Sequence, residues 1–186
     1  MKGHFVSRGG EKLCFALDHF KVSVDGLVAA DFGSSTGGFV DCLLQKGAKK
    51  VFSVDTSYGE LAYTLRVDSR VVVMERTNAL NVALPEQVDF ISIDTSWTKQ
   101  KNILPHALKS IKKGGVIISL LKPQYEAKPG QLTKGVAEEK FLPEIIENVK
   151  QEVGQIDGLI LKGIVESPIK GLKGKNTEFL LFMLVA

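Results

Sequence analysis

The sequence predicts an α/β fold of the Rossmann-like type, with a mostly parallel seven-stranded sheet and helices on both of its faces. From Leu27 onward, short apolar and β-branched runs alternate with segments of helical periodicity. A run of small residues follows the first predicted strand, where open α/β sheets bind nucleotide-like ligands. The chain has 186 residues, 44% of them hydrophobic and 24% charged, which suits one autonomously folding domain. We therefore expect a single domain over residues 1–186.

The predicted strands follow in chain order from the apolar runs, and nearly all are followed by a charged residue or glycine. Such near-continuous apolar runs are typical of strands buried on both faces of a sheet. The strands are predicted at residues 27–32, 51–54, 71–74, 88–93, 116–121, 159–165 and 179–185.

The predicted helices lie before and between these strands. The first precedes the sheet, and its apolar face should pack beside the sheet through Leu13, Leu17 and Phe20. Residues 112–115, Lys-Lys-Gly-Gly, should close a later helix, since cations and glycine suit a helix C-terminus. The other helical stripes cover residues 39–44, 58–66, 104–111 and 142–153. Residues 126–138 form either a mobile active-site loop or a solvated connection.

Composition and charge argue against several classes of protein. No apolar run approaches the roughly 20 residues that span a bilayer, and no secretory hydrophobic region follows the start, so we expect a cytoplasmic protein without a membrane partner. Cys14 and Cys42 are too few for a disulfide framework or zinc site, so we expect buried thiols and no metal. The net charge is only +3, so local charge must decide whether nucleic acid binds. The most basic stretch, residues 162–175, suits either phosphate contacts or a solvated loop.

The segment Asp31-Phe32-Gly33-Ser34-Ser35-Thr36-Gly37-Gly38-Phe39 lies where the first strand gives way to the first helix, and its middle is a loop of small residues, the glycine loop. Small residues allow a ligand to approach the backbone closely. The spacing G-x-x-x-G-G differs from the dinucleotide fingerprint, and the loop lacks the lysine of a P-loop. These differences argue against NAD, FAD and a nucleoside triphosphate as the ligand.

Three polar residues near this loop suit a ligand with a ribose and a cationic end. Asp55 ends the second strand, 22 residues after Gly33, where a carboxylate can accept both ribose hydroxyl protons. Asn78 follows the third strand and could either hydrogen-bond to an adenine edge or form a turn. Asp31 lies in an apolar strand, where burial is costly without hydrogen bonds. It would anchor the glycine loop or face the charged amino-acid end of a cofactor.

Asp94 and Lys122 end the fourth and fifth predicted strands. Ligands of open α/β sheets lie at the carboxyl ends of the strands, so both side chains should project into one cleft. The pair would either act in catalysis or form a salt bridge that closes the rim of the core.

These segments resemble the haemolysin-A-like (TlyA-type) ribosomal RNA methyltransferases, which carry an FtsJ-type 2′-O-methyltransferase domain. The resemblance covers nearly the whole chain. It rests on residues 6–13, 31–39, 53–55, 73–78, 93–94, 122–124, 167–171 and 178–181. It implies the Rossmann-like S-adenosylmethionine-dependent methyltransferase fold, S-adenosyl-L-methionine as cofactor, and ribosomal RNA or ribosomal subunits as partner, methylated at a ribose 2′-hydroxyl.

The resemblance also implies a set of site residues. The family's Lys-Asp-Lys-Glu catalytic tetrad falls on Lys12, Asp94, Lys122 and Glu178. A ribose hydroxyl is a poor nucleophile that needs a base or a positive environment, which the two lysines of this tetrad would supply. The cofactor pocket would be lined by Gly33, Gly37, Gly38, Phe39, Asp55, Asn78 and Asp94.

Family members usually begin with a small S4-type RNA-binding domain, whereas this sequence starts almost at the methyltransferase domain itself. Either the sequence is truncated, or RNA binding relies on another surface, for which residues 162–175 together with Arg8, Lys99 and Lys101 are the candidates. Trp97 could stack on a flipped-out base or form a hydrophobic lid.

Three other functions are alternatives to RNA methylation, and each meets an objection in the sequence. The cofactor half alone would serve a methyltransferase acting on a small molecule or protein, although the lysine pair argues against it. The fold could also serve a non-catalytic RNA-binding or assembly factor, although the complete tetrad argues against it. A literal haemolysin would have to insert into a membrane, and the predicted strands are those of a buried core. The RNA, the nucleotide and the oligomeric state stay open.

Overall fold

The computed structural model describes residues 5–171 and 176–186. The strands of the central sheet are β1 (Val28–Phe32), β2 (Lys50–Val54), β3 (Val71–Met74), β4 (Val88–Ile93), β5 (Ile111–Leu121), β8 (Leu159–Glu166) and β9 (Phe179–Val185). The helices are α1 (Gly9–Phe20), α2 (Gly38–Gln45), α3 (Tyr63–Arg66), α4 (Gln100–Ala107), α5 (Pro123–Glu126) and α6 (Leu142–Gly154). A small hairpin, β6 (Leu132–Thr133) and β7 (Val136–Ala137), precedes a 3₁₀ turn at Glu139–Phe141.

The strand order across the sheet is β3-β2-β1-β4-β5-β9-β8. Pairing is parallel except at β9, which runs antiparallel to both β5 and β8. The prediction of a mostly parallel seven-stranded sheet is confirmed. Because β9 is reversed, the residue before it, rather than the residue after it, lies at the edge where β1, β2, β4 and β5 end.

Helices cover both faces of the sheet, as predicted. Successive strand residues face opposite sides, so Ala29 and Ile118 pack with α1 and α2, while Ala30 and Ile117 pack with α4 and α6. Each face therefore has its own apolar layer, and the sheet is buried on both sides.

Helices α1 and α2 pack very closely at their first turns. A Cβ atom on Gly38 would lie 2.8 Å from the backbone nitrogen of Gly10, so only glycine fits there. One turn further along, each helix carries a free cysteine: Cys42 is buried, as predicted, whereas Cys14 is only partly buried. Burial raises the pKa of the Cys42 thiol.

The helix predicted at residues 58–66 is much shorter in the structure. Only Tyr63–Arg66 is helical. Gly59 has φ +79° and Ala62 is extended at φ −52° and ψ 136°, so the preceding segment cannot continue a right-handed helix. The prediction of a longer helix is wrong because it rested on apolar spacing and ignored that Gly59 readily adopts a positive φ.

The predicted boundary between the fourth helix and the fifth strand is also wrong. Helix α4 ends at Ala107, and Ile111 and the Lys-Lys-Gly-Gly segment belong to β5. Val88 pairs with Ile111 and Phe90 pairs with Val116, so the intervening β5 residues form a bulge, with Gly114 at φ +79°. The pairing of β5 with β4 decides where the strand begins, and the local sequence does not reveal this pairing.

Residues 126–138, predicted as a loop, include the β6–β7 hairpin. Within the described residues, the helices are too short or too polar to cross a bilayer. The same residues contain no cluster of three or more His, Cys, Asp or Glu side chains suited to hold a metal ion.

Candidate active site

A cleft with two adjoining lobes lies at the edge of the sheet where the parallel strands end. The larger lobe has a volume of about 540 Å³ and the smaller lobe about 370 Å³, sizes that suit a small-molecule ligand. Both lobes are lined by Gly33, Ser35, Asp94, Ser96 and Trp97. The cleft therefore lies where the sequence placed the ligand site, between the loops that follow β1 and β4.

The four predicted tetrad residues all line the larger lobe, where they form two ion pairs. The ammonium of Lys12 lies 2.5 Å from Glu178 Oε2, and both residues are buried. The ammonium of Lys122 lies 2.6 Å from Asp94 Oδ1. Buried and half-buried charges are retained in proteins when they are paired, and each pair here keeps a lysine at the wall of the cleft.

The fold explains why residues far apart in sequence meet here. Asp94 and Lys122 directly follow β4 and β5, which pair in parallel with Ile93 opposite Ser119. Glu178 directly precedes β9, whose reversed direction brings it to the same edge. Lys12 lies in the second turn of α1, which packs on α2.

Asp31 is a fully buried carboxyl group at the floor of the larger lobe. Ser92 Oγ lies 2.7 Å from Asp31 Oδ1, while Oδ2 has no hydrogen-bond partner among the described residues. Burial raises the pKa of Asp31 to about 7, with the hydrogen bond from Ser92 opposing the rise and the charge of Asp94 adding to it. An orphaned buried carboxyl oxygen costs free energy unless a ligand supplies a donor, so this atom suits a cationic ligand group.

The glycine loop after β1, residues 33–37, lies very close to the backbone of the loop that follows β4. Gly33 has φ +90°, and a Cβ atom there would lie 2.5 Å from the carbonyl oxygen of Asp94. Gly38 and Phe39 line the larger lobe at the start of α2. Gly37 lies behind the loop instead, at φ +100°, and a Cβ atom there would lie 2.4 Å from Leu65 Cδ1. Its place in the structure suits a conformational role rather than ligand contact.

Asp55 and Asn78 line the smaller lobe. Asp55 accepts hydrogen bonds from the backbone N–H of Ser35 at 2.8 Å and of Ser57 at 2.7 Å, which leaves each carboxylate oxygen a further lone pair. Asn78 Oδ1 accepts the backbone N–H of Leu80 at 2.9 Å, which is the turn-forming arrangement. The amide of Asn78 also lies at the wall of the lobe, so its position fits both interpretations made from the sequence, a turn and a hydrogen bond to an adenine edge.

Several residues at the cleft were not identified from the sequence. Gln124 follows the Lys-Pro pair at the end of β5, and its buried Oε1 has no partner within the described chain. The β6–β7 hairpin contributes Leu132 and Gly135 to the wall of the cleft. Asn176 holds that hairpin by accepting the N–H of Ala137 at 3.0 Å and donating to the Gly135 carbonyl at 3.3 Å. No local sequence pattern identifies these contacts, because they join loops distant in sequence.

Trp97 stands at the mouth of both lobes and is 86% exposed. Its φ is +61°, which is unusual for a non-glycine residue, and its ring lies 5.2 Å from that of Tyr125. The aromatic pair presents an open face at the rim of the cleft.

The predicted phosphate-contacting residues are dispersed over the surface. Arg8 is exposed and lines the larger lobe. Lys101 is paired with Glu152 at 2.8 Å, and Lys99 precedes α4. Lys162 and Lys170 are exposed, whereas Lys173 and Lys175 lie outside the described residues.

Comparison with known proteins identifies what this chain resembles. The sequence profile of one family, described as FtsJ-like methyltransferase, matches residues 5–183. The protein named "Putative rRNA methyltransferase YqxC" from Bacillus subtilis is 42% identical over 96% of this chain, which spans 65% of that protein's length. The 16S/23S rRNA (cytidine-2′-O)-methyltransferase TlyA of Mycobacterium tuberculosis is 36% identical over 96% of this chain and 68% of its own. A solved structure of a "putative hemolysin" from Streptococcus thermophilus superposes with a TM-score of 0.93 at 38% identity, covering 100% of this chain and 69% of the other.

Proposed function

Because the chain belongs to the FtsJ-like methyltransferase family, we propose that it transfers a methyl group from S-adenosylmethionine to a ribose 2′-hydroxyl of ribosomal RNA. The observation that carries the proposal is the convergence of two lysine–carboxylate pairs on the cleft beside the glycine loop. The names of the relatives from Bacillus subtilis and Mycobacterium tuberculosis support ribosomal RNA as the acceptor. A cytoplasmic location follows from that acceptor and is part of the proposal.

The residues of the cleft fit S-adenosylmethionine, the cofactor of the family. Asp31 offers, for the cationic amino-acid end, a buried carboxyl oxygen that has no hydrogen-bond partner in the described part of the chain. Asp55 retains acceptor capacity for ribose hydroxyls, and Asn78 offers an amide at the wall of the smaller lobe. Gly33 lies at the junction of the two lobes against the Asp94 backbone, so this position of the loop adds no side chain to the space for the cofactor. When bound, the cofactor supplies a methyl group on a sulfonium centre.

The two ion pairs suggest how the chain's own residues would act. Lys122, held by Asp94, would orient the 2′-hydroxyl and, after giving its own proton to solvent, would accept the hydroxyl proton during methyl transfer. Lys12, held by Glu178, stabilises the negative charge that develops on that oxygen. In-line placement of the two reacting groups supplies much of the remaining acceleration.

We further propose that Trp97 receives a base of the substrate. Its exposed face and its contact with Tyr125 at the rim of the cleft support stacking rather than closure as a buried lid. Arg8, exposed at the larger lobe, would contact an adjacent phosphate.

The experiment that tests the function measures transfer of labelled methyl groups from S-adenosylmethionine to purified small and large ribosomal subunits. Methylation at a ribose 2′-hydroxyl protects the neighbouring phosphodiester, so the label should survive alkaline hydrolysis in dinucleotides. Replacing Lys122 with Ala should lower kcat by about a hundredfold or more. The matched control is Lys112→Ala, which removes a lysine paired with Asp89 at 2.7 Å on the opposite edge of the sheet and should leave kcat unchanged. Equal turnover of the two variants would refute the assigned role of Lys122.

A further inference from the structure

A buried amide lies directly behind the Asp94–Lys122 pair. Gln100 is the first residue of α4, six residues after Asp94, and only 4% of its surface is exposed. Buried glutamine side chains are costly unless their donor and acceptor atoms are both satisfied. The donor and the acceptor of the Gln100 side chain are both satisfied here, and both bonds go to the end of β5, directly before Lys122.

The side chain of Gln100 binds the end of β5. Its Nε2 donates to the carbonyl oxygen of Leu120 at 3.1 Å, and its Oε1 accepts from Ser119 Oγ at 2.7 Å. The last residue pair between β4 and β5 is Ile93 with Ser119, so the Leu120 carbonyl lies beyond the β4–β5 ladder, while Leu120 still pairs with Leu180 of β9 on its other side. The amide of Gln100 thus takes the place of a strand partner two residues before Lys122.

The backbone of Gln100 binds the segment on the other side of Lys122. Its N–H donates to Glu126 Oε1 at 2.7 Å, and Glu126 ends α5, the helix that begins immediately after Lys122. Burial raises the pKa of this carboxyl, while the hydrogen bond from Gln100 and the charge of Lys99 lower it. One residue therefore clamps the chain both before and after Lys122.

We propose that Gln100 is a positioning residue for methyl transfer, which acts with Ser119 and Glu126 to hold the Lys122 ammonium against Asp94. At the cleft, the loop that carries Asp94 and the segment that carries Lys122 are joined by their ion pair, by the 3.4 Å bond from Lys122 Nζ to the Thr95 carbonyl and by the Trp97–Tyr125 ring contact. Behind the cleft they are joined by the three bonds of Gln100. Loss of the Gln100 bonds leaves only the links at the cleft, which should allow the ion pair to lengthen. The inference rests on the proposed function for its catalytic consequence.

Gln100→Ala and Glu126→Ala should each lower kcat by about tenfold to a hundredfold, while KM for S-adenosylmethionine changes by less than about threefold. Glu126→Gln keeps an oxygen that accepts the Gln100 N–H, so it should restore kcat to within about threefold of the native value. The matched control is Asp89→Ala, because Asp89 Oδ2 accepts the Val28 N–H at 3.0 Å on the far edge of the sheet. That change removes a comparable bond together with the ion pair to Lys112, and it should leave kcat unaltered.

Crystal structures of the same variants provide a readout that does not depend on turnover. The distance between Lys122 Nζ and Asp94 Oδ1 should exceed about 4 Å in Gln100→Ala, the limit for an ion pair, and stay at its native value in Asp89→Ala. Failure of the native chain to methylate any subunit would count against the proposed function alone, since this distance still decides the role of Gln100. The inference is overturned if Gln100→Ala keeps the ion pair intact, or if kcat falls equally in Asp89→Ala.

Discussion

Replacing Asp31 with Asn should make the protein more stable and its cofactor affinity weaker. The native carboxyl group is fully buried, and burial raises its pKa from 3.8 to about 7. Folded protein therefore keeps this proton up to about pH 7, whereas the unfolded chain releases it near 3.8. The free energy of unfolding consequently falls as pH rises between these values, by about 4 kcal/mol at most.

An asparagine keeps the shape of the protonated carboxyl group and never ionises. Its Oδ1 can accept from Ser92, and its Nδ2 would occupy the place of the orphaned Oδ2. At about pH 8 and without cofactor, Asp31→Asn should raise the free energy of unfolding by up to about 4 kcal/mol, and the melting temperature by on the order of 10 °C. Near pH 4 the two proteins should differ little. Calorimetric melting curves across this pH range measure the difference.

Cofactor binding should respond in the opposite sense. If ionised Asp31 binds the ammonium of S-adenosylmethionine, the affinity of the native protein rises about fivefold between about pH 6 and pH 7. The affinity of Asp31→Asn should be weaker and should not vary with pH in this range. Isothermal titration calorimetry measures both proteins.

The matched ligand is 5′-methylthioadenosine, which shares the adenine and ribose but lacks the amino-acid group. Its affinity should not follow the ionisation of Asp31. The reasoning is refuted if 5′-methylthioadenosine shows the same pH dependence as S-adenosylmethionine, or if the substitution alters neither stability nor affinity.

Three further substitutions test other parts of the cleft. Gly33→Ala places a Cβ 2.5 Å from the Asp94 carbonyl oxygen at φ +90°, so calorimetry should show cofactor affinity lower by about tenfold or more. An affinity within twofold of the native value would contradict the proposed close approach of the cofactor to this loop. Gly171→Ala places a Cβ 2.5 Å from Glu178 Oε1 and should displace that carboxylate, lowering kcat in the methyl-transfer assay by about tenfold without weakening cofactor binding. Trp97→Ala should raise KM for the RNA by about tenfold, the worth of one stacked base, and an unchanged KM would exclude a stacking role.

Most of the fold could be predicted from the sequence because its strands are buried on both faces. The strand Phe179–Val185 lies between two other strands and has no polar residue, so its bounds follow from composition alone. The boundary between α4 and β5 could not be predicted, since Lys112-Lys113-Gly114-Gly115 suits both a helix end and a bulged strand. Only the pairing of Val88 with Ile111 decides between them.

Site residues that directly follow a strand could be predicted from the sequence, whereas site residues held by contacts between distant loops could not. Asp94 and Lys122 could be placed in one cleft because both follow parallel strands. The bonds of Gln100 and Asn176 connect residues 19 to 41 positions apart in sequence, and no periodic pattern encodes them. Glu178 was identified by family resemblance alone, since its location depends on the reversed direction of β9.

The reversed direction of β9 has a practical consequence for labelling and immobilising the protein. The strand carries the chain away from the cleft, and the N–H of Ala186 donates to the Gly158 carbonyl at 2.9 Å on the opposite edge of the sheet. A fluorophore or surface tether attached at Ala186 would lie away from the cleft that we propose receives the RNA. A label near Ser7 or Arg8 would obstruct the cleft, because both residues line it.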